Sequence, residues 1–201
     1  MSARLKPFVF ILFVTVIVLT CFAHPIRAQY GATNGEWRSY GGDLGSTKYS
    51  PLDQIDATNF ADLKIAWRWK SVDGSVNLDS LREQRPQTSI RGLQATPLMV
   101  NGILYLSTAM YQAAAIDAST GETIWIHDPE VYLGGAPTHG YGSRGVAYWT
   151  DGEEERIFWG TSEGYLLAVD AKTGQPPSNF GNNGQVDLAD GIPRADRGET
   201  N

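Results

Sequence analysis

The amino-acid sequence predicts an all-β fold of the β-propeller type, and three observations carry that expectation. A short apolar run closed by a tight turn, Ala113-Ala114-Ala115-Ile116-Asp117-Ala118-Ser119-Thr120-Gly121, returns as Leu166-Leu167-Ala168-Val169-Asp170-Ala171-Lys172-Thr173-Gly174, with Asp170 53 positions after Asp117. The correspondence runs backwards without a gap, so that Tyr105, Thr108 and Ala115 fall on Phe158, Thr161 and Ala168. A weaker copy lies upstream, where Asn59 stands eight residues before Trp67 as Asp117 stands eight before Trp125. A period of about 50 residues assembled from short strands is a signature of propeller blades.

The turn has a physical reading. In Ala-x-Asp-x-x-Thr-Gly the carboxylate can accept hydrogen bonds from turn amides, and Gly supplies the positive φ that closes the turn. The Trp that follows is large enough to bridge to a neighbouring blade. These residues build scaffold; nothing in the repeat is catalytic.

The chain has 201 residues, of which 1–28 read as a signal peptide. Arg4 and Lys6 make a basic start, Phe8 to Phe22 is an apolar run, and Ala28 closes a small-residue cleavage site. That run is short for a membrane span of about 20 residues. An uncleaved amphipathic anchor is the alternative. Thr20 before Cys21 makes a poor lipobox, which argues against a lipoprotein. Removing Arg4, Lys6 and Arg27 from 16 basic residues leaves 13 against 22 acidic ones, a net charge of −9. That balance argues against nucleic acid and against binding to an anionic membrane surface. The single cysteine, Cys21, leaves with the signal peptide, so residues 29–201 are expected to have no disulfide and no thiolate metal site.

Taken in order, residues 29–35 are small and polar. Trp37-Arg38-Ser39-Tyr40-Gly41-Gly42-Asp43 and Tyr49-Ser50-Pro51-Leu52-Asp53-Gln54-Ile55 carry too much Gly and Pro for regular structure, yet their aromatics call for burial. An extended segment wrapped over the scaffold is the expectation. Leu63 to Trp69 reads as an outer strand whose partners lie elsewhere, and Val72 to Arg91 as a polar loop. Thr96 to Val100 and Ile103 to Thr108 flank Asn101-Gly102, a strong hairpin signal. Gln112 to Asp117 and Thr123 to His127 complete a four-stranded blade. Asp128 to Ser143 is a Gly-rich excursion carrying His139. Gly145 to Tyr148, Arg156 to Thr161 and Tyr165 to Val169 start the next blade, while 175–201 completes no element.

Two repeats and a partial third do not close a ring, because propellers need at least about four blades. An open ring would leave strand edges and apolar faces exposed. The sequence therefore reads as the front part of a longer protein, covering about the first two to three blades.

At Trp37-x-x-Tyr40-Gly41-Gly42-Asp43, Tyr49-Ser50-Pro51-Leu52-x-Gln54-Ile55 and Leu63-x-x-Ala66-Trp67 the chain resembles the N-terminal part of pyrroloquinoline quinone (PQQ) dependent dehydrogenases. Ala95-Thr96-Pro97-Leu98, Arg144-Gly145-Val146-Ala147-Tyr148 and the two Asp-x-x-Thr-Gly turns continue the resemblance in the same order, over essentially all of 36–201. It is most similar to the glucose and quinate dehydrogenase branch, and the vicinal cysteine pair of the methanol and alcohol branch is missing.

The resemblance implies an eight-bladed propeller holding PQQ and Ca²⁺ on its axis. It implies an enzyme that oxidises sugars, polyols or alcohols in the periplasm and passes electrons to a quinone or a cytochrome, and it allows peripheral membrane association. By the same resemblance Arg144, Thr161, Gln94 and His139 are the cofactor-binding candidates. PQQ is a tricarboxylate, and a guanidinium fork pairs with carboxylates. Gln94 departs from the Glu of many relatives; it adds no charge and can donate. His139 stands one residue further from Arg144 than the pattern has it. The bland readings are a solvated loop charge for Arg144, a strand-interior β-branched residue for Thr161 and an ordinary loop histidine for His139. The catalytic aspartate and the Ca²⁺ ligands are expected beyond Asn201, and Asp43, Asp117 and Asp170 are not candidates for either role. A non-enzymatic exported propeller, of the outer-membrane assembly type, is the alternative class.

Overall fold

In the computed structural model the described residues are 32–84, 92–134 and 141–191. They form two four-stranded antiparallel sheets, each in sequential strand order, which is the blade pattern expected from the repeat. Blade one comprises β1 (Leu98–Val100), β2 (Ile103–Ser107), β3 (Ala113–Asp117) and β4 (Thr123–His127); blade two comprises β5 (Ala147–Thr150), β6 (Glu155–Gly160), β7 (Tyr165–Asp170) and β8 (Gln185–Asp187). The registers repeat as the sequence does: Tyr105 stands opposite Ala115, and Phe158 opposite Ala168.

Asn101 and Gly102 both adopt positive φ, 51° and 78°, the conformation that a two-residue hairpin between β1 and β2 requires. The Asp-x-x-Thr-Gly turns close as the chemistry demands. Asp117 Oδ1 accepts from the amides of Ser119 (2.8 Å) and Thr120 (2.9 Å), and Asp170 Oδ1 from those of Lys172 (3.1 Å) and Thr173 (2.8 Å). These hydrogen bonds, with the Ser119 hydroxyl foremost, hold the Asp117 carboxyl below the usual carboxylate range.

The main core lies between the blades. Leu98, Val100, Tyr105, Ala115 and Trp125 of blade one pack with Ile157, Trp159, Leu167 and Val169 of blade two. A second cluster covers the other face of blade one, where Leu106, Ala114 and Ile116 meet Trp67 and Trp69. β3 is thus covered on both faces, which explains an unbroken buried run of three alanines and an isoleucine in place of alternation.

Three expectations are corrected, and one stays an expectation. Residues 63–69 pair with no described backbone, as an outer strand whose partners lie elsewhere would. They are held by side chains instead, with the Trp67 indole donating to the Ala118 carbonyl (3.0 Å) and the Trp69 indole to Thr123 Oγ1 (2.9 Å). The stretch from Val72 is not plain loop: it holds a 3-10 turn (Val72–Ser75) and helix α1 (Leu78–Gln84). Asn77 Oδ1 caps α1 by accepting from the Ser80 amide (3.0 Å), and Leu81 anchors it in the core. The tail beyond Gln175 does complete an element, since Gln185–Asp187 pairs with β7 and finishes blade two. Finally, the lead-in aromatics are not all buried. Trp37 bridges to Met99 of β1 and packs on the core, but Tyr40 and Tyr49 stay exposed. The chain there makes a single bridge, too little cover to enclose every ring.

Residues 1–28, expected from the sequence to be a signal peptide, lie outside the described residues. Among the described residues no helix is long and apolar enough to cross a membrane.

Candidate functional site

Antiparallel order sends the segment that enters each blade, the one that leaves it and the β2–β3 and β6–β7 hairpins to the same end of the blades. At that end β1, β3, β5 and β7 begin and β2, β4 and β6 finish. Gln94 and Arg144 lie there just before the inner strands β1 and β5, and Thr161 lies there just after β6. Three of the four sequence-predicted residues therefore share one end of the molecule; His139 lies outside the described residues. The Trp-docking turns at 117–121 and 170–174 are at the opposite end.

Two of the three belong to adjoining strand starts. The Thr96 amide donates to the Arg144 carbonyl at 3.2 Å, and Thr96 and Gly145 form a parallel bridge. Gly145 has φ 144°, and a β-carbon there would come within 3.3 Å of the Thr96 carbonyl, so only glycine suits this junction. Thr161 is related to Arg144 through the β5–β6 ladder. Ala147 pairs with Phe158, and Arg144 lies as far before the one as Thr161 lies after the other.

Exposure separates their roles. Arg144 and Gln94 are exposed and Thr161 is half-buried. Among the described residues Arg38 is committed to Glu36, and Arg156 to Glu154 and Asn179, whereas the guanidinium groups of Arg144 and of Arg68, which lies between Trp67 and Trp69 on the other face of blade one, have no such partner. An exposed cation without a described partner suits an anionic ligand. The Thr161 hydroxyl oxygen accepts from the Tyr165 amide (3.4 Å), as Thr108 accepts from Gln112 (3.2 Å) in blade one. The turn uses an acceptor lone pair only, so the Thr161 hydroxyl keeps its proton to donate.

Sequence reasoning missed the polar residues packed beneath this end. Ser107, Thr108, Gln112 and Ser143 are all buried. Ser107 and Ser143 share a hydroxyl–hydroxyl bond of 2.6 Å between the end of β2 and the approach to β5. Gln112 Nε2 donates to Asp128 Oδ2 (2.6 Å), which also accepts from the Tyr132 hydroxyl (3.0 Å). Burial first, and this carboxylate second, push Tyr132 up to about 12. Small hydroxyls at strand ends are common in any β-protein, which is why the pattern alone did not mark them.

The excluded aspartates have structural duties. Asp43 is buried and accepts from the Thr47 amide (2.9 Å) and hydroxyl (2.7 Å), while Asp117 and Asp170 hold their turns. Among the described residues no group of three His, Cys, Asp or Glu side chains is placed to hold a metal ion.

Comparison with known proteins bears on this geometry. Residues 37–201 match the family described as PQQ: glucose/ethanol/alcohol dehydrogenase, beta-propeller domain. The dehydrogenase subunit of the quinone alcohol dehydrogenase of Gluconobacter oxydans is 38% identical over 148 residues, covering 72% of this chain and 17% of that protein. The quinoprotein glucose dehydrogenase of the same organism is 32% identical over 167 residues, covering 76% of this chain and 20% of the relative. In structure, the quinohemoprotein alcohol dehydrogenase from Comamonas testosteroni superposes with a TM-score of 0.57 at 31% identity, over 78% of this chain and 20% of that one. The chain spans about a fifth of the length of these relatives. They include alcohol as well as glucose dehydrogenases, so similarity does not single out the glucose and quinate branch.

Proposed function

This chain belongs to the PQQ glucose/ethanol/alcohol dehydrogenase β-propeller family, and on that premise we propose that the protein is a PQQ-dependent oxidoreductase for sugar, polyol or alcohol hydroxyls. In this reading it works in the periplasm, delivered by the signal peptide at 1–28, and passes electrons to a quinone or a cytochrome.

The observation that carries the proposal is the open guanidinium of Arg144, set beside the strand start that carries Gln94 and across the ladder from Thr161. PQQ bears three carboxylates. A cation without a partner among the described residues, an amide that can donate and a hydroxyl that keeps its proton form a donor set suited to such an anion. Arg144 would pair with a carboxylate, Gln94 would donate or accept without adding negative charge, and Thr161 would donate. His139 completes the proposed set from the connection between the blades. When bound, PQQ would supply the two-electron acceptor for hydroxyl oxidation. Ca²⁺ accompanies the cofactor in this reading, and no described residue is assigned to it.

The test is titration of the complete protein with PQQ by equilibrium dialysis. Loss of a charge-assisted hydrogen bond costs about 1.5–3 kcal/mol, so Arg144→Ala should weaken PQQ binding roughly ten- to a hundredfold. Binding as tight as that of the wild type would remove Arg144 from the site.

A further inference from the structure

Arg144 precedes blade two in sequence, but its neighbours are anchored to blade one and to the connection that leaves it. The segment 141–145 alternates. Tyr141 is buried, its hydroxyl donating to the Tyr132 carbonyl (3.2 Å) and its ring meeting Tyr111 edge-on, with centroids 6.3 Å apart. Ser143 is buried against Ser107 at 2.6 Å. Gly145 bridges to Thr96, whose amide also takes the Arg144 carbonyl. Between Ser143 and Gly145, Arg144 alone is exposed. The exposed Arg144 side chain thus stands between two points fixed to blade one, Ser143 against Ser107 and Gly145 against Thr96.

We propose that the Ser107–Ser143 hydrogen bond and the Thr96–Gly145 bridge form a cross-blade clamp that aims the Arg144 guanidinium, making Ser107 and Ser143 positioning residues for the anionic ligand. This rests on the assignment of Arg144 to the PQQ site. Neither serine touches the ligand. Their contribution is to hold a flexible cation in one direction, so that less freedom is lost when a carboxylate binds. By linkage the ligand should in turn tighten the junction between the blades.

A stability effect alone would not distinguish aiming from packing, and the hydroxyl pair offers a way to separate them. Ser143→Ala leaves the buried Ser107 hydroxyl orphaned and should lower the melting temperature. The double variant Ser107→Ala/Ser143→Ala removes both partners, which restores much of the stability because no polar group is left unsatisfied. The Ser107–Ser143 half of the clamp, however, is lost in both variants. PQQ affinity, read by equilibrium dialysis on the complete protein, should therefore fall about tenfold in the single and in the double variant alike. In an Arg144→Ala background the same serine changes should cause no further loss. Wild-type PQQ affinity in the double variant overturns the clamp, as does an equal loss in the Arg144→Ala background. If instead Arg144→Ala itself binds PQQ like the wild type, the assignment beneath the clamp is what fails.

Discussion

The indole N–H of Trp125 donates to the carbonyl of Ala171 at 2.9 Å, and its ring occupies the space that a β-carbon on Gly174 would need. Trp67 repeats the relationship one unit earlier, donating to Ala118 at 3.0 Å with its ring over Gly121. The Asp-x-x-Thr-Gly turn therefore does two things at once. Its Asp closes the turn through amide hydrogen bonds, and its Gly leaves a bare backbone on which the tryptophan of the preceding unit docks. Blade stacking follows from this joint more than from strand pairing, since no ladder connects the two sheets beyond the single Thr96–Gly145 bridge among the described residues.

Trp125→Ala should consequently loosen the stack. The ring is 9% exposed, lies 6.1 Å from Tyr105 and belongs to the inter-blade core. Its truncation is expected to cost about 3–5 kcal/mol. Because the turn it grips is at the end opposite to Arg144, PQQ affinity should be unchanged at temperatures where the variant stays folded. Urea unfolding and PQQ titration of the same preparation check both halves of this expectation.

Gly174→Ala tests the joint from the other side. Gly174 has φ 71°, and an added β-carbon would lie 2.7 Å from the Trp125 ring. Gly102 is the control, with φ 78° and nothing within 4 Å of its β-position. Both variants carry the left-handed backbone penalty of about 1–2 kcal/mol. Only Gly174→Ala adds overpacking, worth roughly 1–3 kcal/mol more. Equal destabilisation of the two in denaturant melts would contradict the docking role.

These features were legible in the sequence because each is local or periodic. Asn101-Gly102 specifies its hairpin within four residues, and the repeat carries Asp117, Gly121 and Trp125 onto blade contacts that recur. What escaped detection depends on residues far apart. Helix α1 is only seven residues long and relies on the Asn77 cap and on Leu81 reaching the core. β8 has three residues between turn formers and exists because β7 offers an edge. At the site, Gln94, Arg144 and Thr161 came from family resemblance, and the structure places them at one end. The Ser107–Ser143 pair spans 36 positions between two unremarkable serines, and only the packing of the blades brings them together.

Mildly acidic pH should weaken the same joint. His127 ends β4, its ring meeting Trp159 edge-on at 5.7 Å and its Nδ1 lying 3.1 Å from the Gly174 carbonyl. A carbonyl partner requires that Nδ1 carry the proton. Burial is the largest influence and lowers the imidazole pKa from its ordinary 6.5; the Gly174 bond and the nearby Asp128 oppose it without overcoming it. The folded state thus resists a proton that the unfolded chain accepts. The unfolded state binds more protons below about pH 6.5, so stability rises with pH through that window. Stability should be fully present above the ordinary imidazole value and fall as the pH drops from 7.5 to 5.5. His127→Gln keeps an N–H that can reach Gly174 but does not titrate, so its urea midpoint should change less over the same interval. If wild type and variant show the same dependence, the pH response belongs to another group and His127 takes up a proton as readily in the folded chain as in the unfolded one.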